Sequence, residues 1–177
     1  CATVYDVFKG RIPIEGAIVS VEEEIDLLPA NILLSAAELE FNRPGREFIL
    51  RDQLTQVDGR YDYMIIDTPP ALNILTVNAY VASDALIIPM APEILSLLGV
   101  SQIKDTIETV QRCYNSHLQV LGILLNKFNA RLNLNREVRE MAEQVARQLH
   151  TRVFQTVIRS GVAVAEAPAH GESILAY

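Results

Sequence analysis

The chain has 177 residues, half of them apolar, with 21% charged and two cysteines, which is the length and the core-forming content of one domain. No apolar run reaches the roughly 18 residues that cross a bilayer, and Cys1 and Cys113 form no C-x-x-C or Cys/His spacing, which argues against a zinc site or disulfide framework and for a reducing cytoplasm. The net charge of −7 speaks against nucleic-acid binding by bulk charge. From Asn126 to Arg159, however, seven basic residues face three acids, so that stretch is +4 and the remainder −11.

Taken in order, short β-branched runs alternate with helical spacing. Ile25–Leu28, Tyr63–Ile66, Ala85–Pro89, Val120–Leu125 and Val153–Ile158 read as strands, and none alternates apolar with polar, so each is expected to be covered on both faces. Leu50, Leu54 and Val57 form a short helical stripe after the Pro44–Gly45 break. Leu72–Ala82 reads as a helix following Pro69-Pro70. Val100, Ile103, Ile107 and Val110 give a longer helix, and Val138, Met141, Val145 and Leu149 another, with Asn135 placed as its cap. The expected fold is one α/β domain over residues 1–177, a three-layer, mostly parallel, doubly wound sheet.

The chemistry concentrates at Tyr61-Asp-Tyr-Met-Ile-Ile-Asp67-Thr-Pro-Pro70. An apolar strand ends in an aspartate and the chain then turns at two prolines. In open parallel sheets ligands bind beyond the carboxyl ends of strands, and an Asp there can hold Mg²⁺, directly or through water, while the ion bridges nucleotide phosphates. The residues alone leave a second role open, that of a cap for the helix that follows. His117, His150 and His170 sit at helix ends or turns and assemble no covalent-catalysis constellation.

The string Asp67-Thr-Pro-Pro-Ala-Leu72, with Leu75-Thr-Val-Asn-Ala79 and Ala82-Ser-Asp-Ala-Leu-Ile-Ile-Pro89, resembles the ParA/Soj family of deviant Walker partition ATPases. The likeness begins at Thr3-Val-Tyr-Asp-Val-Phe-Lys-Gly10, runs through Ile25–Asn31, Arg43–Glu47, Leu97–Gln102 and Lys127–Arg131, and ends at Glu166-Ala-Pro-Ala-His-Gly171. It implies a P-loop NTPase of SIMIBI type that binds ATP and Mg²⁺, dimerises with itself in the ATP state, and then binds DNA without sequence preference. A ParB-like partner would stimulate hydrolysis, and the protein would work in the cytoplasm on the nucleoid, with no membrane contact. Asp67 would be the Walker B metal residue. Asn126, Ile158 and Arg159 fall on the adenine side, with a turn residue at the strand end as the alternative for Asn126. Arg131 matches a DNA-contacting arginine or is a solvated loop residue, with Arg136, Arg139 and Arg159 as further candidates.

Departures from the family pattern are equally specific. No K-G-G-x-G-K-T phosphate loop occurs in the 177 residues, and no switch aspartate follows one; both would precede Cys1, and a closing helix would follow Tyr177. The chain is therefore expected to be truncated at both ends, unable alone to hydrolyse ATP, and prone to aggregate through an unpaired Tyr63–Ile66 edge. Ile158-Arg-Ser-Gly-Val-Ala163 stands where the family has Ile-Pro-Arg-Asn-Val-Arg, so a second DNA arginine is lost at Ala163. The rival readings are a MinD-like division-site ATPase and a degenerate ParA-like scaffold that never turns over nucleotide. Nitrogenase iron proteins are set aside because no cysteine lies near Asp67.

Overall fold

Thr3 opens the first helix: its backbone N–H and hydroxyl both donate to the Asp6 carboxylate, at 3.0 and 3.3 Å, satisfying a donor that a helix start would otherwise orphan. The computed structural model describes residues 2–129, 131–171, 173 and 174. They form two compact units, Cys1–Asp84 with Thr106–Leu118, and Ala85–Asp105 with Gln119–Tyr177.

In the first unit, α1 (Val4–Phe8) is followed by an antiparallel hairpin of β1 (Val19–Glu22) and β2 (Ile25–Leu27). Then come α2 (Ala37–Glu40), a 3-10 turn at Arg46–Phe48, α3 (Ile49–Leu54), another 3-10 turn at Thr55–Val57, and α4 (Ile74–Ala82). The short α1 is apolar on opposite sides. Tyr5 and Phe8 join Phe41, Ile49, Leu50 and Ile74 in one cluster, while Val7 joins Ile14, Ala17 and Val57 in a second. Leu54 packs against both clusters, so the expected Leu50–Leu54–Val57 stripe does face inward.

Two asparagines bind these helices together. Asn78, 1% exposed, donates from Nδ2 to the carbonyls of Arg46 (2.8 Å) and Ile74 (2.9 Å), and accepts at Oδ1 from the Leu50 amide (3.0 Å). That last bond satisfies one of the free N–H groups in the first turn of α3. Asn115 donates to the Ser83 carbonyl at 2.8 Å, with the Tyr80 and Val81 carbonyls at 3.2 and 3.3 Å, and so closes the C-terminal end of α4.

In the second unit, β3 (Ala85–Met90) pairs in parallel with β4 (Gln119–Leu125). The connecting helix α5 (Ile94–Cys113) places Val100 in the core of this unit and Ile107 and Val110 in the core of the other. The register slips by one residue between Leu86 and Ile87, so that Ile87 faces Gly122 and Leu121 is passed over. Pro89 lies within β3 without breaking the pairing. α6 (Asn133–Gln148) buries Val138, Ala142 and Ala146, and α7 (Val162–His170) follows.

Four expectations are corrected here. Ile25–Leu28 is not a doubly covered strand: β2 pairs antiparallel with β1, and Ile25 and Leu27 are about half exposed. Tyr63–Ile66 joins no ladder among the described residues, and Tyr63 and Ile65 are 88% and 96% exposed; with no strand hydrogen-bonded beside the segment, only Ile66 of the four packs against the core cluster. Val153–Ile158 is reduced to isolated parallel bridges, Ile123 with Val153 and, just beyond it, Phe128 with Arg159. Asn135 does not cap α6. The helix begins two residues earlier, and the buried Asn135 side chain instead donates to the Asn129 carbonyl at 3.1 Å, holding the preceding loop. The architecture is thus mixed α/β with one parallel and one antiparallel pair among the described residues.

Candidate functional site

The segment carrying Asp67 is held from outside itself. At its start, Tyr61 Oη donates to the Asp26 carboxylate at 2.7 Å and Arg60 Nη2 donates to the same oxygen at 3.1 Å. The Tyr61 hydrogen bond is the largest cause holding the Asp26 carboxyl below its usual range, with Ser20 and Arg60 assisting against partial burial. The same bond pushes the Tyr61 phenol up. In the middle, Ile66 packs against the Tyr5–Phe41–Ile74 cluster. At the far end, the Thr76 hydroxyl donates to the Ala71 carbonyl at 2.7 Å.

The segment borders a largely apolar cavity of about 590 Å³ in the first unit, floored by residues such as Phe8, Leu28 and Leu54 and carrying Asp26, Asp67 and Thr68 on its wall. Asp67 is exposed, and its carboxylate makes no hydrogen bond or ion pair among the described residues. The alternative role left open by the sequence is taken by another residue. Asn73 caps α4, its Oδ1 accepting from the amides of Leu75 (3.0 Å) and Thr76 (3.4 Å).

A lone, unengaged carboxylate at a cavity mouth fits Mg²⁺, which keeps most of its waters and takes one or two protein carboxylates beside substrate phosphates. It does not fit a protein-caged metal. Among the described residues no group of three or more His, Cys, Asp or Glu could enclose an ion. When bound, Mg²⁺ would neutralise phosphate charge, and Asp67 would hold and orient it.

The predicted adenine-side residues come together in the second unit. The Phe128 amide donates to the Ile158 carbonyl (2.9 Å) and the Ser160 amide to the Phe128 carbonyl (3.3 Å), so Asn126–Phe128 and Ile158–Ser160 run side by side. The Asn126 amide donates to the Met90 carbonyl (2.9 Å), while its side-chain oxygen accepts from Lys127, which has a positive φ of 54°. The Asn126 Nδ2 group is left without a partner among the described residues. Arg131 is exposed in a turn fixed by its amide bonding Asn129 Oδ1 at 3.1 Å. Arg159 is also exposed, Arg136 bonds Asn133 Oδ1, and Arg139 is drawn to Glu143 at 3.7 Å along α6.

Residues 1–120 match the AAA_31 family, described as an AAA domain. The chain is 39% identical over 176 residues to the sporulation initiation inhibitor protein Soj of Bacillus subtilis, covering 98% of this chain and 68% of that protein. The chain belongs to the ParA/Soj family. A second member, the chromosome partitioning protein ParA of Caulobacter vibrioides, is 37% identical over 179 residues, covering 99% of this chain and 66% of that protein. The chain therefore spans about two thirds of the length of these relatives. Among solved structures, cobyrinic acid a,c-diamide synthase from Mycobacterium smegmatis with bound ADP and magnesium superposes with a TM-score of 0.82 at 32% identity, over 97% of this chain and 74% of that one. A complex of Cyanothece McdA with ATP gives 0.89 at 20% identity, over 99% and 69%, a likeness of fold. The fold is that of the ParA/McdA-type P-loop NTPases, and no described helix is long and apolar enough to cross a membrane.

The residues that sequence reasoning missed are polar ones that tie the first unit together: Asp26, Asn73, Thr76 and Asn78. Asn78 carried a signal, a lone amide inside an apolar helical run. The Asp26–Tyr61 pair is 35 residues apart and had none. It belongs to a set of acids tuned the same way in the first unit. Asp6 is held low chiefly by the Thr3 amide, then by Arg11, and Glu40 chiefly by the Tyr5 hydroxyl, then by Lys9. A carboxyl whose folded pKa is depressed contributes stability above its unfolded value and loses it as pH falls through the folded one. Denaturation midpoints should accordingly be level at neutral pH and fall once pH drops below about 4, the ordinary carboxylate range. Asp26→Asn should flatten part of that decline, and an unchanged acid limb in the variant would contradict the assignment.

Proposed function

We propose that the protein is an ATP-dependent partition ATPase that positions a plasmid, chromosome or other cargo. In this reading residues 1–177 are one ParA-like ATPase domain, part of a doubly wound parallel sheet. Asp67 holds the Mg²⁺ of bound ATP, and Asn126, Ile158 and Arg159 border the adenine. The ATP-bound homodimer binds DNA through phosphate contacts by Arg131, with Arg136, Arg139 and Arg159 adding charge, and a ParB-like protein stimulates hydrolysis on the nucleoid. Supporting the reading is Asp67 itself: in a chain belonging to this family, the carboxylate at the start of the Thr-Pro-Pro turn is left exposed and unengaged while a neighbouring Asn does the capping.

In the protein at its full natural length, Asp67→Asn should raise the Mg²⁺ concentration needed for ATP turnover by about 100-fold, the upper end of what metal-site partners cost. Turnover with an unchanged Mg²⁺ requirement would remove Asp67 from the site. For the DNA contact, Arg131→Glu should weaken binding evenly across sequences and reduce the slope of log affinity against log salt by about 1 to 2. Filter-binding or anisotropy titrations at three salt concentrations would measure it. Equal affinity for wild type and variant at every salt concentration would dismiss Arg131 as a contact.

A further inference from the structure

The Asp67 turn has an unusual problem of attachment. Among the described residues, no backbone–backbone hydrogen bond involves residues 62 to 72. Pro69 and Pro70 have no N–H to give, so they cannot close the turn themselves. Upstream, Tyr61 is anchored on Asp26; between that anchor and α4, the one hydrogen bond to the main chain among the described residues comes from Thr76 Oγ1 to the Ala71 carbonyl, at 2.7 Å. Thr76 is well placed to act as a fixed post. It is 2% exposed, it lies in the first turn of α4, and its own amide is held by the Asn73 cap at 3.4 Å. Ala71, by contrast, is exposed.

These two facts separate positioning from stability. If the hydroxyl is lost, the bond it made is only partly buried and Ala71 is an exposed residue, so water can take the hydroxyl's place at the carbonyl and the cost in stability is small. The geometric constraint is what disappears, because a mobile water does not tie the turn to the helix.

We propose that Thr76 is a positioning residue for Asp67: its hydroxyl, by holding the Ala71 carbonyl to α4, fixes the proline turn so that the carboxylate meets a nucleotide-bound Mg²⁺. The proposal rests on the reading of Asp67 as the metal residue. Thr76 touches neither metal nor nucleotide; it acts through the turn.

Two substitutions divide the side chain into its parts. Thr76→Val keeps the buried shape and removes the hydroxyl, whereas Thr76→Ser keeps the hydroxyl and removes the buried methyl. Both are tested in the protein at its full natural length, alongside Asp67→Asn, by titrating Mg²⁺ against a fixed concentration of a fluorescent N-methylanthraniloyl ATP analogue. Melting temperatures are recorded without nucleotide. The expected result is that Val raises the half-saturating Mg²⁺ by about tenfold, as loss of an orienting partner does, while Ser stays within about twofold although it melts lower. A packing role alone gives the reverse order, with Ser more impaired than Val, and that result overturns the proposal. So does a Val variant with unchanged Mg²⁺ dependence when Asp67→Asn is strongly affected. If Asp67→Asn itself leaves the titration unchanged, the metal reading fails and the role of Thr76 fails with it. Should Val prove unstable, Thr76→Ser at wild-type Mg²⁺ affinity together with Thr76→Ala at reduced affinity is the supporting pattern, and equal loss in both is the contrary one.

Discussion

Replacing Asn78 by leucine is expected to destabilise the protein by about 2–4 kcal/mol, because the buried Leu50 amide loses its partner at about 1–3 kcal/mol and the partly buried Arg46 carbonyl loses its own at about 1 kcal/mol. The bond to the Ile74 carbonyl matters least, since that carbonyl also lies in the ladder of α4. The other two matter most: the Leu50 amide, in a residue 8% exposed, and the Arg46 carbonyl have only this side chain to join them to α4. Leucine takes up the space of the lost amide, so little of the loss is cavity formation, and the small apolar gain does not offset an orphaned buried amide beside a weakened carbonyl contact. Asn78→Asp tests the asymmetry. It can still accept from Leu50, yet it turns a carboxylate toward the Arg46 carbonyl in a buried site, so it should be no better than leucine at neutral pH. Urea denaturation with a fixed m-value measures both. A loss below about 1 kcal/mol for the leucine variant, the usual net value of a single hydrogen bond, would show that α3 and α4 are held chiefly by apolar packing.

Gly122→Ala should cost about 2–3 kcal/mol, against an intrinsic trend in its favour. Alanine in a strand interior is ordinarily better than glycine by roughly 0.5–1 kcal/mol. Here the added Cβ would lie 2.8 Å from Phe154 Cε2 and 2.9 Å from the Arg152 carbonyl oxygen. The ring can swing aside, but the carbonyl cannot move freely, because it accepts from the Ile123 amide at 2.8 Å while the Phe154 amide donates to Ile123 at 2.9 Å. Overpacking of about 1–3 kcal/mol plus a weakened ladder bond of about 1 kcal/mol outweighs the propensity gain. Adding Phe154→Leu should recover only part of the loss, since it relieves the ring contact and leaves the carbonyl contact. If Gly122→Ala proves neutral, the chain at Arg152–Phe154 is more pliable than its hydrogen bonds suggest. A full rescue by Phe154→Leu would place the whole conflict in the ring.

The parts legible in the sequence were those set by local pattern. Ala85–Pro89 and Val120–Leu125 were readable as strands because each is a continuous apolar run flanked by helix-length segments, and they are the two that pair. The Leu72–Ala82 helix was readable because the two prolines announce its start, although the helix begins two residues later, at Ile74, behind the Asn73 cap. What failed depends on partners. Tyr63–Ile66 is as apolar as the paired strands, but a ladder is a property of two strands, and no partner strand lies hydrogen-bonded beside it among the described residues. The β1–β2 hairpin was hidden because its two-residue turn is Glu23–Glu24, with Glu24 at φ 65°, where glycine or asparagine would have announced it. At the site, Asp67 stood out from its strand-end position, whereas the hydroxyl and amide that arrange its turn only become visible once α4 is folded.

Pro89 bears on a different matter, how β3 meets strands other than β4. The Met90 carbonyl points toward β4, where it accepts from the Asn126 amide. Alternation along a strand therefore directs the amide position of Pro89 to the opposite edge, and there a proline has no hydrogen to offer. Among the described residues β3 pairs with β4 alone, and its other edge presents an interrupted row of donors. A second copy of the same strand cannot zip along it without leaving a carbonyl unmatched, and this gap guards the edge against templating a growing cross-β stack.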